Sequence, residues 1–411
     1  MIALEEIPMA DFNLMRELHQ PADTKIVLLV MDGLGGLSDK PGGPTELEAA
    51  KTPNLDRLAK EGSLGQSIPV RLGITPGSGP GHLALFGYDP LEFEIGRGVI
   101  EASGIGMKVA KGDVAARGNF CTVDEGGKIT DRRAGRISSE AARPIVDKLD
   151  AVQIAGVETQ VRVLREYRFG LVMHGENLSP EIADTDPLEV GLAPLAAKAL
   201  APRAEHTADL VNEWMAEARK ALAGETRANS LTLRGFSTHP NLPQFDEIYG
   251  LKAACVAVYP MYKGVAHLVG MDVQTYEGET PSDEFNQAGK VWGDYDFFFI
   301  HIKKTDSLGE DGAFEDKAAY IEKVDAALPT LLDLEPDVLV VTGDHSTPAR
   351  MRYHSWHPVP VLLWAPERGR EDAQTTFGET ACAQGGLGTF QAADLMPLMM
   401  AHGGRLTKFG A

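Results

Sequence analysis

Cysteine is scarce: Cys121, Cys255 and Cys382 are the only three in 411 residues. None falls in a CxxC pair, so neither a disulfide framework nor a cysteine metal knuckle is encoded, and reduced thiols in the cytoplasm are the simplest expectation. Basic residues are also in deficit, 39 Lys and Arg against 59 Asp and Glu, for a formal charge of −20. That balance argues against nucleic acid or an anionic membrane as the main partner. A small anionic substrate would then need a local cluster of basic groups working against the overall field. The N-terminus lacks a long apolar run: the stretch from Met1 to Gln20 carries Glu5, Glu6 and Asp11 and reads as neither a secretion signal nor a membrane span. Residues 1–23 are expected to be a surface extension. The length exceeds one compact core, so two domains, or one large domain with an insertion, are expected.

What is present begins with Lys25-Ile-Val-Leu-Leu-Val30, an apolar run of strand length that ends in Met31-Asp32-Gly33. It reads as a buried parallel strand, and Asp32 stands at its C-terminal end, the edge of an open α/β sheet where ligands collect. Thr52 to Gly62 reads as a short amphipathic helix with proline at its first position. In Ile74-Thr-Pro-Gly-Ser-Gly-Pro-Gly-His82, glycines flank Ser78 and would let a ligand approach its hydroxyl. A helix beginning near Gly79 would aim its free N–H groups at an anion there; the plainer alternative is a serine that caps that helix. From Arg97 onward, arginine recurs among glycines, and Asp131-Arg-Arg-Ala-Gly-Arg136 places Arg132, Arg133 and Arg136 within one or two turns of chain, suited to phosphate or carboxylate. Helices are expected at Ser138–Leu149 and Arg203–Ala223, with a strand over Thr159–Met173. The acidic loop 177–187 offers Asp184 and Asp186 as proton-transfer groups, although carboxylates in such loops are more often caps and turn-makers.

Apolar strands return near residue 251 and recur at 296–302, 338–342 and 359–364, with a helix from about Gly312 between the second and third. Strand, helix, strand at this spacing implies crossovers in a parallel sheet. The chain is therefore expected to leave one sheet near residue 107 and re-enter it near 250. The late strands bring Asp306 and Glu310, then Asp344 and His345, then His354 and His357, to the edge shared with Asp32 and Ser78. Mixed oxygen and nitrogen donors suit Mn2+, Zn2+ or Co2+, and a pair of such ions suits phosphoryl transfer. Coordination also lowers the pKa of a hydroxyl that is otherwise a poor nucleophile.

Leu-Val-Met-Asp-Gly33, Thr-Pro-Asn-Leu-Asp-Arg-Leu58, Thr-Pro-Gly-Ser-Gly-Pro-Gly-His82, Asp-Arg-Arg-Ala-Gly-Arg136, His-Ile-Lys-Lys-Thr-Asp306, Thr-Gly-Asp-His345 and the ending Lys-Phe-Gly-Ala411 together resemble a known family. It is the archaeal-type, 2,3-bisphosphoglycerate-independent phosphoglycerate mutases of the alkaline phosphatase superfamily, and the likeness runs from about residue 24 to the end. It implies an α/β fold: an alkaline-phosphatase-like three-layer α/β/α core with a mostly parallel sheet, residues 24–107 and 250–411, and an inserted smaller α/β domain, 108–249, that clamps substrate. It further implies a phosphoserine intermediate and two divalent ions, Mn2+ foremost with Zn2+, Co2+ or Mg2+ as alternatives, and no 2,3-bisphosphoglycerate. By motif, Asp32, Ser78, Asp344 and His345 would hold one ion, and Asp306, Glu310 and His354 the other. His354 is preferred to His357 because His354-Ser-Trp-His-Pro-Val-Pro360 fits the family pattern. Arg132, Arg133, Arg136, Arg168, Arg234 and Lys263 would grip the substrate, and Asp184 would transfer a proton. Two departures stand out: Glu310 where the family usually has His, and His174 where members often have Arg. The activity implied is interconversion of 3- and 2-phosphoglycerate; a phosphoryl hydrolase and a catalytically silent binding protein are the rival readings. The partner expected is a small phosphoglycerate, with a homo-oligomer left open.

Overall fold

A continuous apolar run buries on both faces, and the central strands do so in the computed structural model, which describes residues 11–410. Among these residues the strands in chain order are β1 (Ile26–Met31), β2 (Ser63–Ile68), β3 (Val114–Val123), β4 (Ile129–Asp131), β5 (Glu158–Arg165), β6 (Arg168–His174), β7 (Ser230–Ser237), β8 (Ala253–Ala257), β9 (Asp272–Val273), β10 (Phe297–Ile302), β11 (Val338–Thr342), β12 (Val359–Trp364) and β13 (Gly388–Gln391). The chain divides into two compact units, one running through Glu94 and resuming at Leu242, the other Ile95–Asn241.

The first unit is built on an eight-stranded sheet in the order β13-β2-β12-β11-β1-β10-β8-β9. β1 lies parallel to β10 and β11, with Ile26 opposite Phe297 and Val338. Alternation then sends Val27, Leu29 and Met31 to one face, where they meet Leu55 and Leu58, Phe285, and the stripe Ile321, Val324, Leu328, Leu331 of the helix Phe314–Leu332. Phe297, Phe299 and His301 point to the other face. There Phe299 packs edge-on against Phe86 at 4.9 Å and lies 5.6 Å from the His82 ring. Helices on both faces make this the α/β/α arrangement expected.

One strand breaks the expected pattern. β12 runs antiparallel to both β11 and β2. A parallel return needs a crossover, usually a helix, and residues 343–358 form turns and bridges with no helix among them. The reversal puts the start of β12, not its end, at the C-terminal edge of β1, β10 and β11.

The second unit is an antiparallel sheet in which β3 pairs with β4, β6 and β7, and β6 with β5. Its core joins Phe120, Phe169 and Leu231 to Ile145 and Leu149 of the helix Ser139–Asp150 and to Val211, Trp214 and Leu222 of the helix Glu205–Leu222. The expected single strand over 159–173 is a hairpin, β5 and β6, turned at Glu166 with φ of 52° and Tyr167. Alternation alone continues through such a tight turn and conceals it.

The boundaries also move. The helix Arg97–Gly104 packs on β3, β6 and β7 and so belongs with the second unit, although the sequence placed residues through 107 in the core. Leu242 to Gly250 belongs to the first unit, where Phe245 meets Phe297 at 5.0 Å. Residues 1–10 of the expected extension lie outside the described residues. From Asp11 it is packed: Phe12 meets Tyr88 edge-on at 5.0 Å, and Gln20 N–H donates to the Arg405 carbonyl at 2.9 Å.

Candidate metal centre

Ser78 is the first residue of the helix Ser78–Leu85, and Gly77 is the cap. The serine lies inside the helix rather than at its cap position, and its Oγ lies 3.2 Å from His345 Nε2. The helix can lie this close to the β11 loop because residue 81 is glycine: a Cβ there would meet the Asp344 carbonyl oxygen at 2.4 Å. One turn on, His82 is fully buried, its Nδ1 2.7 Å from the Ser78 carbonyl and 3.2 Å from Asp344 Oδ2.

Asp32 follows β1 directly, and Asp344 and His345 follow β11; all three are fully buried. His345 Nε2 stands 3.4 Å from Asp32 Oδ1 and 3.1 Å from Asp344 Oδ2. Neither carboxylate oxygen has a hydrogen-bond partner. Both oxygens face His345 Nε2, and Asp344 Oδ2 also faces His82 Nδ1; two buried carboxylate oxygens without a hydrogen bond are costly as they stand, and they suit a divalent cation well. Burial would raise the Asp32 carboxyl, but the Lys303 ammonium, followed by His301 and His345, holds it well below the usual range. Burial also dominates at His345 and lowers its imidazole, which favours the neutral form that ligates metal.

A second group adjoins the first. Asp306 Oδ1 lies 3.6 Å from His354 Nε2, whose ring stacks on His345 at 3.6 Å between centroids. One ligand atom from each of Asp306, His345 and His354 lies within 4.8 Å of the others, as is true of Asp32, Asp344 and His345. His354 is held by Nδ1 against the Pro76 carbonyl at 3.0 Å, whereas His357 turns to Ser355 and takes no part. Glu310 lies at the rim, half-exposed, with Oε1 3.9 Å from His354 Nε2. Burial and then Asp306 raise its carboxyl.

Three further residues hold this cluster. Lys303 Nζ bridges Asp32 Oδ2, at 3.0 Å, and Asp306 Oδ2. The Tyr262 hydroxyl donates to Asp32 Oδ2, and its ring stacks on His301 at 3.6 Å. Thr347 Oγ1 touches both Asp306 Oδ1, at 2.7 Å, and His345 Nδ1, at 2.9 Å. Lys263, next to Tyr262 on the helix Pro260–Leu268, is half-buried and has no hydrogen bond to this cluster.

In the second unit, Arg132 makes a two-point pair with Asp186 at 3.2 and 2.8 Å. Arg234 Nε and Gly235 N–H donate to the two oxygens of the exposed Asp184, at 3.1 and 2.8 Å. Arg133 and Arg136 are exposed on a segment whose residues 134–136 all have positive φ, held by Asp131 accepting from the Arg133 and Gly135 N–H groups. Pairing on β3 sets Arg117 opposite Arg234, and Asn119 opposite Arg168. Arg117 is buried; burial and then the nearby Arg97, Arg168 and Arg234 lower its guanidinium, against the pull of Glu101. Arg97 and Arg117 join the expected arginines, and the glycine-spaced arginines before residue 120 were the available signal. His174 is paired with Asp113 at 2.8 Å.

A family model described as 2,3-bisphosphoglycerate-independent phosphoglycerate mutase matches residues 59–227. A Thermus thermophilus protein named as a probable 2,3-bisphosphoglycerate-independent phosphoglycerate mutase is 51% identical, over 97% of this chain and 99% of its own. The chain belongs to the 2,3-bisphosphoglycerate-independent phosphoglycerate mutase family. An Aquifex aeolicus chain with the same probable name is 49% identical over 97% of this chain and 100% of its own. Among solved structures, a Pyrococcus horikoshii protein superposes with TM-score 0.81 at 33% identity, covering 94% of this chain and 99% of that one. A cofactor-independent phosphoglycerate mutase from Thermoplasma acidophilum gives 0.70 at 32%, covering 92% and 99%. Membership in the mutase family makes the chain an isomerase. The mutase model takes in Ser78 and the arginine-rich segment, while Asp306, Asp344, His345 and His354 lie beyond it. Among the described residues, no helix is long and apolar enough to cross a membrane.

Proposed function

We propose that this chain interconverts 3-phosphoglycerate and 2-phosphoglycerate without 2,3-bisphosphoglycerate, by way of a phosphoserine at Ser78. The observation that carries the reading is the Ser78 hydroxyl: it leads its helix without capping it and faces His345 beside the orphaned oxygens of Asp32 and Asp344. Two divalent ions, Mn2+ foremost, would be held by Asp32, Ser78, Asp344 and His345, and by Asp306, His354 and Glu310. When bound, they would lower the serine pKa and offset charge on the phosphoryl group.

The chain's own groups account for the rest. Ser78 Oγ attacks phosphorus in line, the bond from phosphorus to O3 breaks, and O3 takes up the proton the serine gives up. Glycerate then reorients, O2 attacks the phosphoserine, and the proton returns to Ser78. Arginines grip carboxylate and phosphate so that glycerate stays while it turns. Arg132, Arg133, Arg136, Arg168 and Arg234 serve here, joined by Arg97 and Arg117, with Lys263 as a further cation. Asp184, exposed, is the group proposed to carry the proton between Ser78 and the glycerate oxygens.

The test is a coupled assay on metal-free protein with Mn2+ restored. Formation of 2-phosphoglycerate from 3-phosphoglycerate without added bisphosphate, abolished by chelator, is expected. Stoichiometric release of inorganic phosphate would establish a hydrolase instead.

A further inference from the structure

The helix Phe314–Leu332 buries a stripe at positions 317, 321, 324, 328 and 331, and four of those positions hold Ile, Val, Leu and Leu. The first is Lys317, with no exposed surface. Placing an ammonium in a core stripe is expensive unless every donor is satisfied. Lys317 Nζ donates to the carbonyls of Gly33 at 2.8 Å, Thr347 at 2.9 Å and Gly35 at 3.3 Å. Among the described residues no carboxylate lies within ion-pair distance of it. Its three acceptors are backbone, two on the loop after Asp32 and one on the loop after His345.

Glu46, equally buried, does the converse for N–H groups. Its Oε2 accepts from Leu37 at 3.0 Å and its Oε1 from Ala349 at 2.6 Å, again one partner on each loop. The contacts are close enough to demand glycine: a Cβ on Gly36 would meet Glu46 Oε2 at 1.9 Å, and one on Gly33 would meet Thr347 Oγ1 at 2.5 Å. Thr347, whose carbonyl Lys317 holds, reaches Asp306 and His345 through its hydroxyl.

We propose that Lys317 and Glu46 are paired positioning residues, a buried cation and a buried anion that clamp the Asp32 loop to the Asp344–Thr347 loop and set the spacing of the metal ligands. The inference rests on the two-ion reading above. A helix stabilised only by packing would gain from an apolar residue at 317; the lysine is explained by the two loops.

The test compares Lys317→Met, Glu46→Gln and, as a control on the same stripe, Leu328→Ala, each as full chain freed of metal and assayed well below its melting temperature. Mn2+ affinity is measured by calorimetry, and Co2+ is bound as a visible-spectrum probe of ligand geometry. Lys317→Met should weaken Mn2+ binding about 10- to 100-fold, the range of outer-shell partners, and shift the Co2+ bands. Glu46→Gln, which loses one of two acceptors, should do the same to a lesser degree. Leu328→Ala should lower the melting temperature and leave both readouts as in wild type. Wild-type affinity and spectrum in folded Lys317→Met, or in Glu46→Gln should Lys317→Met not fold, would overturn the proposal. So would a control that moves the readouts equally. Failure of the unmutated chain to take up either ion would remove the two-ion reading, and this inference with it.

Discussion

A serine among glycines is locally ambiguous, because turn chemistry and nucleophile chemistry ask for the same neighbours. In the fold the cap is Gly77 and the Ser78 hydroxyl is turned to His345, which favours the proposed nucleophile. Ser78→Ala is therefore expected to keep the fold and most of the metal affinity while lowering turnover by at least about 10³-fold, as removal of a nucleophile does. Calorimetry beside the coupled assay checks both halves, and activity near wild type would refute the assignment. Glu310 is subtler. At 3.9 Å from His354 and half-exposed, it would close one of the proposed ion sites without forming its floor. Glu310→Ala should weaken one of two Mn2+ binding steps by roughly tenfold and leave the other alone; two unchanged steps would take Glu310 out of the ligand set. The residues legible in the sequence were those advertised by a strand end or a glycine-rich turn. Tyr262 and Lys317 were not, since what gives each its role is a partner from a distant stretch of chain.

At the scale of elements, hydrophobic runs found the strands but not their directions. The reading of β12 as one more parallel strand would have carried His354 to the wrong edge of the sheet. The missing helix between residues 343 and 358 was the physical clue, and it reverses the strand and brings His354 to Asp306. The helix Pro281–Lys290 carries a different surprise. Glu284 is 1% exposed with one oxygen unpartnered, and burial, then Asp283 and Glu279, pushes its carboxyl up to about 9. A folded-state pKa above the unfolded value of about 4.3 means that the contribution is fully present at low pH. It is lost as pH climbs from there through 9. Glu284→Gln should remove that loss, so its stability advantage over wild type should widen by up to about 1.4 kcal/mol per pH unit across that window. Urea unfolding at pH 5, 7 and 9 measures it, and parallel curves would show the carboxyl ionised when folded.

For the molecule as a whole, a net charge of −20 coexists with a group of arginines in the second unit, so the substrate attraction proposed for them would be local and would oppose the overall field. The proposed ion ligands all belong to the first unit. Cation binding there should stabilise that unit by linkage, about 2.7 kcal/mol at a hundredfold excess over Kd. In scanning calorimetry, Mn2+ is expected to raise the transition of the first unit and leave that of Ile95–Asn241 in place. A shift of both transitions by the same amount would show that the two units melt together.

The ends of the second unit are themselves neighbours, with Val99 N–H donating to Ser237 Oγ at 2.8 Å, and in the first unit the Tyr88 hydroxyl reaches the Pro243 carbonyl at 2.6 Å. Entry and exit thus form a seam in each unit, and a gene cut there and rejoined by a short linker would still encode every proposed ion ligand. The proposed ion ligands and the arginines proposed to grip glycerate are in that sense encoded in separable stretches of the chain.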